Sequence, residues 1–158
     1  MNPAGCDLRF DVSVDDEGWT ALVPAINNVF KSIKTALPDA CLPEGLQEVS
    51  LLLTDDASIR RLNHDYRSKD KPTNVLSFPT IEAPGLLGDI ILARETITRE
   101  ASDKGVSFKD HFTHLIIHGL LHLLGHDHQT DEQAAVMEAI EIGALEKLGI
   151  ANPYILKA

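Results

Sequence analysis

The chain has 158 residues, 44% of them hydrophobic, enough for one apolar core, and a single domain over 1–158 is expected. A formal net charge of −10 argues against a broad basic face for nucleic acid, which leaves no case for DNA and requires any RNA contact to be local. Asp7, Arg9 and Asp11 interrupt the apolar residues of 1–14, unlike a signal peptide, and no run approaches the roughly 20 apolar residues of a membrane span. A cytoplasmic protein without a membrane partner is expected, with Cys6 and Cys41 as reduced thiols.

Leu8, Phe10, Val12 and Val14 alternate with Arg9, Asp11 and Ser13, the period of a half-buried strand. From Trp19 the period changes. Leu22, Val23, Ile26, Val29, Phe30 and Ile33 recur at helical spacing, and this helix ends before Pro38. The apolar run 49–53 reads as a second strand, and Asp55 or Asp56 can cap a second helix bearing Ile59, Leu62 and Tyr66. Further strands follow at 75–78, stopped by Pro79, and at 86–92, after the turn formers Pro84 and Gly85. A third helix runs from about Arg94 to Lys104 and stops at Gly105, and Ser107 can cap a fourth that continues to Leu124 and stops at Gly125. Thr130 and Gln133 form a capping-box pair opening a last helix with Val136, Met137, Ile140, Ala144 and Leu148. The expected fold class is α+β, a small mixed four-stranded sheet packed with about five helices.

The chemistry is concentrated in His118-Gly119-Leu120-Leu121-His122-Leu123-Leu124-Gly125-His126-Asp127-His128. Residues four apart share a helix face, so His118 and His122 set their rings side by side and can share one metal at the C-terminal end of a central helix. Gly125 supplies the positive φ that ends a helix, and His128 can fold back to the same point. An imidazole among Leu115, Ile116, Ile117, Leu120 and Leu121 is costly to bury without a partner, and a metal removes that cost. His114 and His111 lie one and two turns earlier. At a rise of about 1.5 Å per residue, His114 is about 6 Å along the axis from His118 and reads as packing or support. His126 is the alternative third ligand, but the longer spacing to His128 suits a chain that must turn back. Asp89 and Asp127 are candidates to orient a ligand histidine through its second nitrogen.

Imidazoles suit zinc, nickel and copper, and zinc leads on availability and on the tetrahedral position that three ligands leave open. One Zn2+ per chain is expected. Neutral ligands leave the ion its full charge, which lowers the pKa of a bound water toward ~7 and attracts an anionic substrate such as a phosphate. The same frame of histidines and glycine occurs in metzincin proteases, which place a glutamate directly after the first histidine as general base. That position is Gly119 here, which demotes a metalloprotease.

The stretch His118 to His128 resembles the YbeY family of bacterial endoribonucleases, the ribosomal RNA maturation factors. So does Asn63-His64-Asp65-Tyr66-Arg67-Ser68-Lys69-Asp70-Lys71-Pro72-Thr73-Asn74-Val75-Leu76-Ser77-Phe78-Pro79, followed by Leu87-Gly88-Asp89-Ile90, and so does the tail Asn152-Pro153-Tyr154-Ile155. The blocks keep the family's order and cover nearly the whole chain after about Glu48. The resemblance implies a zincin-like fold, a zinc on His118, His122 and His128, and cleavage of single-stranded RNA. It also implies a place in small-subunit ribosomal RNA maturation and ribosome quality control, with ribosomal RNA and the small ribosomal subunit as partners. Arg67 falls where the family has its catalytic arginine, and a guanidinium can fork onto two phosphate oxygens. Arg60, Arg61, Lys69 and Lys71 cluster near it. Ser77, in a strand with no base beside it, reads as structural, and Asp70 and Lys71 as turn residues. His126 stands where many relatives carry tyrosine. A noncatalytic ribosome assembly factor with a structural metal is the remaining alternative, although such sites usually fill all four positions and favour cysteine.

Overall fold

The structure of the protein is a computed structural model that describes residues 6–38, 42–67, 73–80 and 85–154. In chain order it contains β1 (Cys6–Val14), a 3-10 turn (Glu17–Trp19), α1 (Val23–Ala36), β2 (Gly45–Thr54), α2 (Asp56–Arg67), β3 (Val75–Pro79), β4 (Leu86–Ala93), α3 (Arg94–Lys104), α4 (Phe108–Leu123) and α5 (Asp131–Lys147). The four strands form one sheet in the order β1-β2-β4-β3. β1, β2 and β4 are parallel and β3 runs antiparallel along β4, so the fold is the expected α+β class with a mixed sheet.

Two boundaries depart from the hydropathy pattern. β2 is longer than the run 49–53 because its pairing with β1 begins at Gly45, opposite Cys6. Backbone hydrogen bonds carry it through the exposed Leu46 and Glu48, where no apolar alternation marks a strand. The first helix begins at Val23 and not at Trp19. Asp16 accepts a hydrogen bond from the Gly18 amide at 3.2 Å, and the Trp19 indole donates to the Thr54 carbonyl at 2.8 Å. Trp19 is thereby fixed in the preceding turn, fully buried against Phe108 and Phe112.

The two faces of the sheet carry unequal loads. Val49, Leu51, Leu53, Ile90 and Leu92 join the main core with Ile33 of α1, Ile97 of α3, Ile116 of α4 and Leu145 of α5. On the opposite face, Leu76, Ile91 and Ala93 meet Ile59 of α2, with Leu52, Leu62 and Phe78 packed around them. The start of α2 is tied to α3, since Asp56 accepts from the Thr96 amide at 3.0 Å and from its hydroxyl at 2.7 Å.

α4 occupies the centre of the larger side, with Phe112, Ile116, Ile117, Leu120 and Leu121 fully buried, so it is a core helix and not an amphipathic surface one. Its approach to the sheet is close at Gly119, where an added Cβ would lie 3.0 Å from Ser77 Oγ and 3.1 Å from Ile90 Cδ1. One turn later Leu123 reaches Gly88. The helix therefore runs antiparallel to β4 and delivers its C-terminal turn to the start of that strand.

Gly88 holds this junction. The β2–β4 register skips a residue there, with Glu48 opposite Leu86 and Val49 opposite Gly88, and its φ is +147°. A Cβ would collide with the Phe78 carbonyl oxygen and lie 2.9 Å from Leu123 Cδ2. Gly88→Ala is expected to cost about 2 kcal/mol or more through backbone strain and overpacking. Denaturant unfolding should show a lower midpoint at an unchanged slope, and a wild-type midpoint would mean that the junction has slack.

Candidate metal centre

Local signals set both ends of the histidine helix. Gly105, at φ +70°, closes α3, and the Ser107 hydroxyl then accepts from the Asp110 amide at 3.0 Å to cap α4. At the far end the Gly125 amide donates to the His122 carbonyl at 3.1 Å and the His126 amide to the Leu121 carbonyl at 2.9 Å. Gly125, at φ +99°, reverses the chain. Asp127 Oδ1 accepts from the His128 amide at 2.7 Å, and two residues later the Thr130–Gln133 capping box opens α5. His128 is thus held between a helix stop and a helix start.

That reversal brings three imidazoles together. Ring centroids lie 4.9 Å apart for His118 and His122, 5.6 Å for His118 and His128, and 5.1 Å for His122 and His128. One ring nitrogen from each lies within 4.8 Å of the other two, an arrangement that could hold a metal ion. Among the described residues His126 is outside this group. His118 and His122 are half-buried and His128 is exposed, so the cluster opens to solvent on the side of His128. Burial, followed by the neighbouring His118 and His128, lowers the pKa of His122. That favours the neutral ring, whose lone pair a metal requires.

Behind the cluster lies a carboxylate that the sequence reading did not single out. Glu141 of α5 has 0% exposure. Its Oε1 lies 2.9 Å from His114 Nε2 and 3.1 Å from His118 Nδ1, and the Tyr154 hydroxyl donates to it with both oxygens 3.0 Å away. Burial raises its pKa, but the hydrogen bonds from His114 and His118 lower it further, and the net value is about 2. Burial and the Glu141 charge both raise the pKa of Tyr154, which keeps its hydroxyl a donor. An ionised carboxylate only accepts, so His118 donates from Nδ1 and leaves Nε2 free to face the other two rings.

The donor set fits a divalent cation. The basic groups nearest Glu141 among the described residues are the imidazoles of His114 and His118, which carry charge only when protonated. A buried negative charge without nearby positive charge is costly, and an ion held by the three rings would supply that charge. His118, His122 and His128 would be its ligands.

The other residues marked in the sequence separate cleanly. Asp89 is exposed and pairs in register with Ser50 and Phe78, on the sheet face away from α4, so it does not orient a histidine of the cluster. Asp127 bonds the His128 backbone instead of a ring. His111 is buried with Nε2 2.8 Å from Glu100, and His114 is buried beside Glu141. Ser77 lies under Gly119, consistent with a structural role. Arg67 is the last residue of α2, Arg60 and Arg61 are exposed on that helix, and Lys69, Asp70, Lys71 and Cys41 lie outside the described residues. One signal could have revealed Glu141. It stands among Met137, Ala144 and Leu145 at helical core spacing, where an acidic residue needs a buried partner.

The chain matches the family model for endoribonuclease YbeY over residues 12–149. It belongs to the endoribonuclease YbeY family. Relatives with that name include a protein from Rhodospirillum rubrum, 45% identical over 96% of this chain and 84% of its own. Another, from Azorhizobium caulinodans, is 48% identical over 96% of this chain and 99% of its own. A third, from Sphingopyxis alaskensis, is 55% identical over 75% of this chain and 76% of its own. A solution structure of a Thermotoga maritima protein aligns with a TM-score of 0.55 over 89% of this chain and 91% of that one, at 22% identity, a likeness of fold. The YbeY match takes in every residue of the histidine cluster and Glu141.

A divalent ion at about 100 times its Kd is expected to stabilise this YbeY family member by about 2.7 kcal/mol. His122→Ala should lose that increment. Calorimetry with and without chelator reads both effects, and full metal occupancy in His122→Ala would remove His122 from the ligand set.

Proposed function

We propose that this protein is a metal-dependent hydrolase domain that cuts single-stranded RNA at a zinc held by His118, His122 and His128. We further infer that it acts in the cytoplasm on ribosomal RNA of the small ribosomal subunit, in maturation and quality control. The observation that carries the reading is the open three-imidazole cluster in a member of the endoribonuclease YbeY family. The relatives' name supports RNA as the substrate. Among the described residues no helix is long and apolar enough to cross a membrane. A zinc ion bound there supplies a Lewis acid and an acidified water. Three protein ligands, with His128 at the solvent side, suit a catalytic site better than a structural one, which usually has four.

The packing of Gly119 argues against peptide hydrolysis. The metzincin general base would stand here, and even a Cβ at this position meets Ser77 and Ile90 at 3.0 and 3.1 Å. A glutamate would face the sheet and not the metal. No chelator-sensitive digestion of casein or of a peptide library is expected, and robust digestion would reverse the choice between the two hydrolases.

Arg67 is the proposed phosphate clamp. α2 starts beside the Thr54 and Ala93 end of the sheet, and its Ile59 and Leu62 pack on Leu76, Ile91 and Phe78. Its C-terminal residue therefore approaches the end of the sheet to which α4 brings His122, which supports the assignment. Arg67→Ala is expected to abolish cleavage of a labelled single-stranded RNA in single turnover while the metal stays bound and RNA affinity falls only modestly. Arg67→Lys should not restore full activity, because an ammonium lacks the planar fork. Lys69→Ala and Lys71→Ala should instead weaken binding and flatten its salt dependence. Cleavage by Arg67→Ala at the wild-type rate would take Arg67 out of the mechanism.

A further inference from the structure

We propose that Glu141 is a positioning residue for the metal site and that Tyr154, carried on the segment after α5, holds it in place, so that this C-terminal segment sets how well His118 serves as a ligand. The inference rests on the three-histidine metal reading and assigns a role to residues beyond the ligand set.

The case begins with how many donors one carboxylate serves. Glu141 accepts from His114 Nε2, His118 Nδ1 and the Tyr154 hydroxyl, with donor distances of 2.9 to 3.1 Å, while fully buried. Three donors from two segments, α4 twice and the C-terminal segment once, converge on one group. The carboxylate sits on α5, so its own helix does not supply its partners.

Each bond constrains a different freedom. The His118 bond fixes which ring nitrogen carries the proton and sets the plane of the ring, and a histidine rotated about χ2 would present Nδ1 to the ion and take one of the three donors from Glu141. The His114 bond fills a second acceptor direction of the same oxygen. It also places a proton on His114 Nε2, and its Nδ1 is buried with no hydrogen-bond partner among the described residues. The Tyr154 hydroxyl bridges both oxygens, and its ring packs edge-on against His114 with centroids 5.6 Å apart. One residue of the C-terminal segment thus restrains both the carboxylate and the imidazole beside it.

The backbone brings Tyr154 there by a defined route. α5 ends with the Ile150 amide donating to the Leu145 carbonyl at 2.9 Å and Gly149 at φ +75°. Asn152 Oδ1 then accepts from the Tyr154 amide at 2.8 Å. Ile150, Asn152 and Pro153 also wall a cavity of about 360 Å³ floored by His111 and His114. The segment is turned back onto the side of α4 that carries the histidines.

The test uses the full-length protein and two substitutions, Glu141→Gln and Tyr154→Phe. Zinc affinity is measured by competition with a chromophoric chelator, and the visible spectrum of the cobalt-substituted protein reports ligand geometry. Glu141→Gln should weaken zinc binding by about 10- to 100-fold, the usual effect of losing such a partner. Tyr154→Phe should weaken it on the order of 10-fold, at the lower end of the same range. The cobalt spectra of both should shift from wild type while circular dichroism stays unchanged, a combination that a purely structural role does not produce. If Glu141→Gln fails to fold, Tyr154→Phe decides alone, since it removes one hydroxyl from a partly exposed side chain. Wild-type affinity and spectrum in the folded variants, even with a lowered melting temperature, would overturn the inference and leave the metal site standing. Absence of zinc binding by the wild type would instead overturn the three-histidine reading, and this inference with it.

Discussion

A carboxylate sealed from water has to be met by donors that compensate its charge, and Glu141 imposes that requirement on everything around it. It lies at 0% exposure on α5 with imidazoles of α4 as hydrogen-bond partners. Ion–dipole and hydrogen-bond terms inside the core are stronger than at the surface, and so is the penalty for leaving any of them unmet. The packing of α5 on α4 is therefore specified by direction as well as by apolar contact. Sliding α5 by one turn would separate the carboxylate from His114 and His118 together. Apolar side chains alone tolerate such slips far better, because hydrophobic contact has no preferred angle.

The sheet supplies the second constraint. The β3–β4 pair receives α4 on one face through Ser77, Ile90 and Gly88, and α2 on the other through Leu76 and Ile91. Histidines on α4 and the arginine that ends α2 are thus referenced to the same strand pair, although they lie far apart in sequence. The Schellman-like closure at Gly125 and the capping box at Thr130 then leave the chain few residues in which to place His128. Two of the three clustered histidines are fixed by a core helix and the third by the two caps that flank it.

Much of this was legible in the sequence, and for identifiable reasons. The four strands, the helices and their stops follow from period, caps and glycines, which are local signals. The His118, His122 and His128 cluster follows from helical spacing plus one positive-φ glycine. Glu141 was legible only as an acidic residue at core spacing, because its partner is His118, 23 residues away. Asp89 and Asp127 looked better placed by proximity in sequence, yet strand parity sends one to the far face and a turn commits the other to backbone. The late start of α1 was hidden too, since Trp19 fits a helical period while its indole is held by the Thr54 carbonyl across the core.

Gly119 can be read as a gauge. A helix resting on a sheet through side chains can roll, because side chains trade places across rotamers at little cost. A helix resting through a bare Cα has one orientation in which the gap closes, and turning it in either direction pushes a leucine or a histidine into space sized for a hydrogen atom. Because His118 is the residue immediately before that contact, the direction in which its side chain leaves the helix is machined against the sheet by the absence of an atom. A side chain at this position would have to displace Ser77 Oγ and Ile90 Cδ1 before the helix could keep the same seat on β3 and β4.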